Sequence, residues 1–217
     1  MAFLLPLFPL DLVLLPGISL PLHIFEPRYQ EMIGECLRDH LLFGIVRARD
    51  EGIADVGCAA EIVELLKRYD DGRMDIATVG RRRFEVLEIN RERSFLRGQV
   101  TFFDDEEESE AAAEQASKPA EPAAEETKNA RERALQLFAE IAEVIGSKNE
   151  VDPDSALLSY QLAGLLPIDL DFKQAMLAIR SERKRLARLI ELFEAILPKL
   201  RKAERRREKA GGNGHVP

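Results

Sequence analysis

The chain predicts an α+β protein, with a small, partly closed β-barrel lobe that carries one inserted helix, followed by a four-helix C-terminal lobe. Three observations predict it. Before Phe103, short apolar runs alternate with turn residues, as strands do. After Lys128, apolar residues recur at i, i+3 and i+4, as on one face of a helix. Between them lies "DDEEESEAAAEQASKPAEPAAEET", Asp104 to Thr127, with no Leu, Ile, Val or aromatic. Such a segment cannot offset its ordering entropy by burying apolar area. The expected division is a barrel lobe over 1–103, an acidic disordered linker over 104–127, a helical bundle over 128–209 and a flexible tail over 210–217.

The greasiest stretch comes first: "LPLFPLDLVLLPGISLPLHIFEPRY", Leu5 to Tyr29. A secretory signal needs a basic start and one unbroken apolar run, and a spanning helix needs about 20 apolar residues in helical geometry. Here Asp11 interrupts the run, the first Arg or Lys is Arg28, and Pro6, Pro9, Pro16 and Pro21 obstruct a helix. Prolines suit strand starts, edges and bends. The prediction is two strands, Phe3 to Pro9 and Ile18 to Ile24, joined through a Pro16-Gly17 turn, in a cytoplasmic, non-membrane protein.

Pro27 fits the first position of a helix whose Tyr29, Met32, Ile33, Cys36 and Leu37 share a face. "LLFGIVRA", Leu41 to Ala48, reads as a strand. Two extended runs flank Asp71-Gly72, a hairpin signal because glycine tolerates positive φ. "RRRFEVLEINRE" and "FLRGQVTFF" complete six or seven strands, which suits a small barrel. Beyond the linker, Thr127 caps a helix to Ile145 with Ala134, Phe138, Ile141 and Ile145 inside and Gly146 as its stop. Asp152-Pro153 opens a second helix to about Ala163. Asp169 or Asp171 opens a third, with Phe172, Ala175, Met176 and Ile179. Ser181 caps the longest, with Leu186, Leu189, Ile190, Phe193, Ile196, Leu197 and Leu200 inside and a kink expected at Pro198.

A hydrophobic content of 46% with 32% charged residues places the chain among ordinary globular proteins. Its net charge of -8 is local, because Asp104 to Glu126 holds ten acidic side chains against the single Lys118. The acidity therefore marks a segment and not a binding face. Two cysteines, Cys36 and Cys58, without a CxxC or a histidine pair, are expected as buried thiols in a reducing compartment, with no metal site.

No phosphate loop GxxxxGK[ST], GxGxxG, HExxH or GxSxG occurs, and His23, His40 and His215 fall in a strand, a helix end and the tail. No nucleophile and base are brought together by any spacing, so no catalytic residue and no cofactor are expected. The triplet Arg81, Arg82 and Arg83 is the nucleic-acid alternative. A solvated turn is preferred for it, since neither aromatics nor a wider basic field accompany it. The terminal "KLRKAERRREK", with seven basic and two acidic residues, reads as a solvated helix end favoured by the helix dipole.

The opening stretch, together with "FGIV", "GCAAEIVELLKRYDDGRMDIATVGRRRFEVLE" and "SYQLAGLLPIDLDFKQAMLAIRSERKRLARLIELFE", resembles the N-terminal substrate-binding domain of the Lon protease family over about Phe3 to Leu200. The resemblance implies a PUA-like barrel lobe followed by a helical lobe, in a bacterial protein of protein quality control. In the full-length protease an ATPase module and a serine-lysine peptidase module follow this domain, and neither has a counterpart in these 217 residues. The resemblance therefore implies a stand-alone, non-catalytic module that binds polypeptide clients or a protease or chaperone partner, as an adaptor or chaperone-like factor.

Candidate contact residues are Leu12, Leu14, Phe25, Arg28 and Tyr29. The opening strands carry more large apolar side chains than two half-exposed strands require, and exposed apolar patches mark contact sites. The competing expectation has both faces of these strands covered, Phe25 in the core and Arg28 tying helix to barrel. A homodimer through the opening strands or the last helix is a further possibility.

Overall fold

A computed structural model of the chain describes residues 3–106, 121–148 and 150–211. In chain order the elements are β1 (Phe3–Leu10), β2 (Ser19–Ile24), α1 (Pro27–Asp39), β3 (Phe43–Arg49), β4 (Gly52–Ile53), β5 (Val56–Arg68), β6 (Met74–Asn90), β7 (Leu96–Phe103), α2 (Glu121–Ile145), α3 (Leu158–Leu165), α4 (Leu170–Ala178) and α5 (Glu182–Gly211). They form two compact units, Met1–Asp104 with Leu166–Ala178, and Asp105–Leu165 with Ile179–Pro217.

In the first unit, β1 pairs antiparallel with β7, β7 with β6, β6 with β5 and β5 with β3. β3 returns to β1 in a parallel pairing, Leu7↔Gly44 to Leu10↔Arg47. Five strands therefore close into a ring, where a partly closed barrel was expected. The closing pair is parallel, so it needs a long crossover in place of a turn signal, and residues 11–42 with β2 and α1 supply it. β2 adds to β6 and β4 to β3 outside the ring.

Leu5, Leu7, Val46, Ala59, Phe84 and Val100 form a buried core cluster, with Leu5 and Leu7 as inward alternates of β1. Phe84 fills space left by two glycines, since a Cβ at Gly44 or Gly57 would lie 2.5 Å from its ring. α1 starts with Pro27 in its first turn and buries Tyr29, Met32, Ile33 and Cys36. The β5–β6 hairpin turns at Gly72, whose φ of 89° belongs to the left-handed region, and the Tyr69 N–H donates to the Arg73 carbonyl at 2.9 Å.

α4 departs from the expected partition. The sequence pattern put it in the helical lobe, yet it clusters with the strands. Gln174 Nε2 donates to the Val56 carbonyl at 2.9 Å and Arg83 Nη1 to the Leu177 carbonyl at 3.2 Å. Helical periodicity marks an element but not the unit it joins. Asp169 caps α4, its carboxylate accepting the Asp171 and Phe172 N–H groups at 2.9 and 3.1 Å.

In the second unit α2 begins at Glu121 and not at Thr127, because an Ala/Glu-rich segment has high helix propensity even without apolar residues. Asp104, Asp105 and Glu106 at the other end of the expected linker also lie within the described structure, as do Ala210 and Gly211 of the expected tail. The remaining positions of those two segments, 107–120 and 212–217, which include His215, lie outside the described residues. α2 buries Ala134, Leu137, Phe138 and Ile141, while Ile145 is exposed beside the left-handed Gly146.

α5 buries Leu186, Leu189, Phe193 and Leu197 and continues through Pro198. Salt bridges Arg133–Glu194 and Glu140–Arg201, both 2.7 Å, step seven residues along each helix, so α2 and α5 run parallel. α3 begins later than the Asp152-Pro153 signal predicts. The Asp152 carboxylate instead accepts the Asp154 N–H at 3.0 Å in a local turn, and Ser155 Oγ accepts the Leu157 N–H ahead of the helix. Among the described residues no helix is long and apolar enough to cross a membrane.

Candidate functional site

Beyond the ring, β6 continues between β2 and the second half of β5, making a three-stranded ribbon in which Asp75 lies opposite His23 on one side and Lys67 on the other. Cross-strand partners project from the same face, so the ribbon register gathers the polar side chains of three strands. His23 Nδ1 lies 2.5 Å from Asp75 Oδ1, and the Tyr69 hydroxyl donates to Asp75 Oδ2 at 2.8 Å. These bonds, that to His23 foremost, hold the Asp75 carboxyl below its ordinary range.

Aromatic rings build on this base. The His23 ring stacks at 6.1 Å on Phe25 and meets the edge of Tyr69 at 6.0 Å. Lys67 Nζ and the Arg73 guanidinium sit over Tyr69 at 4.4 and 4.9 Å. Phe25 occupies the junction between β2 and α1, where Gln30 Nε2 donates to its carbonyl at 3.0 Å, and 60% of the residue is exposed. A large ring is thus presented to solvent from a hydrogen-bonded backbone.

The other expected contact residues scatter. Leu14 is buried, and Tyr29 is buried with its ring 4.1 Å from that of Phe8, so both are core residues. Leu12 is half-buried. Arg28 is outward, holding Glu26 through its Nε at 2.8 Å and lying over the Tyr29 ring at 4.6 Å. The greasy opening is therefore mainly core: Leu5, Leu7, Phe8, Leu14 and Leu15 are buried, and the closed ring demands it. Leu10, like Leu12, is half-buried.

The arginine triplet lies within β6 and not in a turn. Arg81 pairs with Glu61 at 2.5 Å, Arg82 with Asp104 at 2.7 Å, and Arg83 is buried over Phe103. With two charges paired on the surface and one inside, this geometry does not support an RNA-binding face.

Tyr69 and Asp75 were not singled out from sequence. Their signal was the Asp71-Gly72 turn, which folds Tyr69 back toward Asp75. Among the described residues no cluster of His, Cys, Asp and Glu could hold a metal ion. Cys36 and Cys58 are free and buried, and burial pushes both thiols up to about 12.

The family model described as the ATP-dependent protease La (LON) substrate-binding domain matches residues 4–195. The chain belongs to that family. Lon protease 2 of Myxococcus xanthus is 27% identical over 198 residues, covering 87% of this chain and 23% of that protein. The Lon protease of Parabacteroides distasonis is 31% identical over 109 residues, 46% of this chain and 13% of that protein. The chain thus spans less than a quarter of the length of these two Lon proteases.

Two solved Lon-domain structures share the fold. The Lon N-terminal domain protein from Xanthomonas campestris has a TM-score of 0.62 and 26% identity, covering 87% of this chain and 98% of that one. The N-terminal domain of the Mycobacterium avium complex Lon protease has a TM-score of 0.61 at 18% identity, covering 88% and 98%. The Lon-domain chain therefore carries the mixed sheet and helices of these relatives.

Proposed function

We propose that the chain is a non-catalytic polypeptide-binding module with a PUA-like barrel, acting in the bacterial cytoplasm as an adaptor or chaperone-like factor for polypeptide clients or a protease or chaperone partner. The family's description as substrate-binding supports a recognition role. The observation that carries the proposal is the exposed Phe25 ring, stacked with His23 and backed by Tyr69. A rigid exposed aromatic contributes apolar contact area at small entropic cost, and such residues dominate binding energy when buried by a partner. Arg28, Lys67 and Arg73 nearby suit carboxylates of a bound chain. The His23–Asp75–Tyr69 hydrogen bonds support the Phe25 ring from behind, which suits recognition.

The test is fluorescence anisotropy of a labelled, extended apolar peptide with the purified chain, without ATP. Binding is expected, with little change between low and moderate salt because the main contact is apolar. Phe25→Ala weakens it about tenfold, the loss typical of one well-buried aromatic contact. Equal affinities for the variant and the parent chain would refute the assignment to Phe25. A steep salt dependence together with preference for an RNA oligonucleotide would replace the function altogether.

A further inference from the structure

The opposite edge of the same ribbon presents a second surface. β3 pairs with β5 only from Phe43↔Ala60 to Ile45↔Cys58, and from Glu61 onward β5 is paired with β6 alone. Residues 61–68 therefore form an edge strand whose outward N–H and C=O groups meet no other described strand. Register shifts fall between Ile62 and Glu64 and between Leu65 and Lys67, leaving Val63 and Leu66 as bulged residues. Both are large apolar side chains more than half exposed, at 54% and 53%.

Folded proteins protect such edges with bulges and with charges, and like charges along an edge repel a second copy. Here the charges are ordered differently. Glu61 and Glu64 occupy the first half, Lys67 and Arg68 the second, and the apolar residues Ile62, Val63, Leu65 and Leu66 lie within that frame. Among the described residues neither Glu64 nor Arg68 has an ion-pair partner, although Glu61 also holds Arg81. Antiparallel pairing of two such edges about a two-fold axis between Leu65 and Leu66 sets Glu64 of each copy against Lys67 of the other. It also sets Leu65 of each copy against Leu66 of the other.

We propose that the Glu61–Arg68 edge of β5 is a self-association surface, through which two copies of this chain join antiparallel into a two-fold dimer. An isologous contact requires a self-complementary patch, and this strand is self-complementary in backbone, charge and apolar content at once. His23 of β2 and Phe25 just after it lie across β6 from this edge, and Lys67 belongs to both surfaces. A dimer built this way leaves the Phe25 rings of both copies available.

Sedimentation velocity over a range of concentrations tests it on the full chain. The parent chain is expected to show a concentration-dependent monomer–dimer equilibrium. E64K sets a lysine against Lys67 and K67E sets a glutamate against Glu64, so each variant associates with itself at least about tenfold more weakly. An equimolar mixture of the two restores a dimer, which also shows that both variants remain folded. Phe25→Ala leaves the equilibrium unchanged, separating this surface from the peptide site. The proposal is overturned if the parent chain stays monomeric at every concentration, if dimerisation is indifferent to both charge reversals, or if the mixed variants fail to associate. Protection of β5 amides from exchange by an apolar peptide, with the chain still monomeric, would assign the edge to clients and overturn it as well.

Discussion

Arg185 and Asp105 are joined by two hydrogen bonds, Nη1 to Oδ1 at 2.7 Å and Nη2 to Oδ2 at 2.5 Å, with the guanidinium fully buried. The same guanidinium donates to Glu182 Oε2, to Ser159 Oγ and to the Ile179 carbonyl, and stacks over Tyr160 at 4.3 Å. Burial alone would push its pKa down; the hydrogen bonds to Asp105 and the nearby charges reverse this and hold it above the ordinary range. One residue of the acidic segment is thereby anchored to the start of α5, and beside it the Glu106 N–H donates to the Arg180 carbonyl at 2.9 Å.

Removing one member of a buried ion pair leaves the other uncompensated. Arg185→Ala is expected to cost about 3–5 kcal/mol in urea unfolding. Asp105→Asn keeps an acceptor but loses the charge, and costs about 1–3 kcal/mol. Arg185→Lys does not rescue, since an ammonium cannot span Asp105, Glu182 and Ser159 in the planar geometry found here. A midpoint for Arg185→Ala close to that of the parent chain would show the network to be dispensable.

Leu4 and Leu5 are neighbours in β1 with opposite fates, because successive strand side chains face opposite sides. Leu5 is fully buried in the barrel and Leu4 is 44% exposed. Leu5→Ala is expected to destabilise by about 2–5 kcal/mol and Leu4→Ala by about 0.5 kcal/mol or less. Similar losses at both positions would contradict the inward alternation of β1, and with it the conclusion that the greasy opening is core.

The strands and helices were legible in the sequence wherever periodicity and turn chemistry agree. Pro27 at a first helical turn, Asp71-Gly72 at a hairpin tip and Gly146 after α2 all occupy the positions their chemistry favours. What could not be read was set by pairs distant in sequence. The parallel β1–β3 pairing that closes the ring has no turn between its partners, and the docking of α4 on the strand unit depends on Gln174 and Arg83 finding backbone carbonyls elsewhere. The candidate site was half visible. Phe25 and Arg28 stood in a recognisable segment, but the cluster depends on ribbon register to bring Tyr69 and Asp75 to His23. Tyr29 carried two expectations, the inner face of α1 and a contact surface, because a helix residue three positions before Met32 serves both equally well by pattern alone, and its side chain is buried.

The two cysteines provide a probe of opening. Burial raises both thiols to about 12, with a smaller contribution at Cys36 from Glu35 and Asp39. At pH 8 a thiol with that pKa is thiolate to only about one part in 10,000, and thiolate is the reactive form. Native chain is therefore expected to react with iodoacetamide at least about a thousandfold more slowly than chain in concentrated urea, and at a rate that follows unfolding. Rapid labelling of Cys58 in the folded state would mean that the strand unit opens near β5 far more readily than its packing implies.

Asp75 sets an expected acid limb of stability. Its carboxyl is held below the ordinary value of 3.8, first by His23 and then by Tyr69. A carboxyl depressed in the folded state stabilises that state fully above its unfolded pKa, and the contribution is lost as pH falls through the lower, folded value. Asp75→Asn abolishes the term. The gap in thermal midpoint between the parent chain and this variant should narrow as pH falls from about 5 toward about 2. Glu31, held low first by the Ser94 hydroxyl and then by Arg93, should behave in the same way. Its variant Glu31→Gln should act additively with Asp75→Asn, since the two carboxylates share no partner. A gap that persists unchanged at the acid end would show that His23 and Tyr69 hold protonated Asp75 as well as its carboxylate, and that the cluster is organised by packing and not by charge.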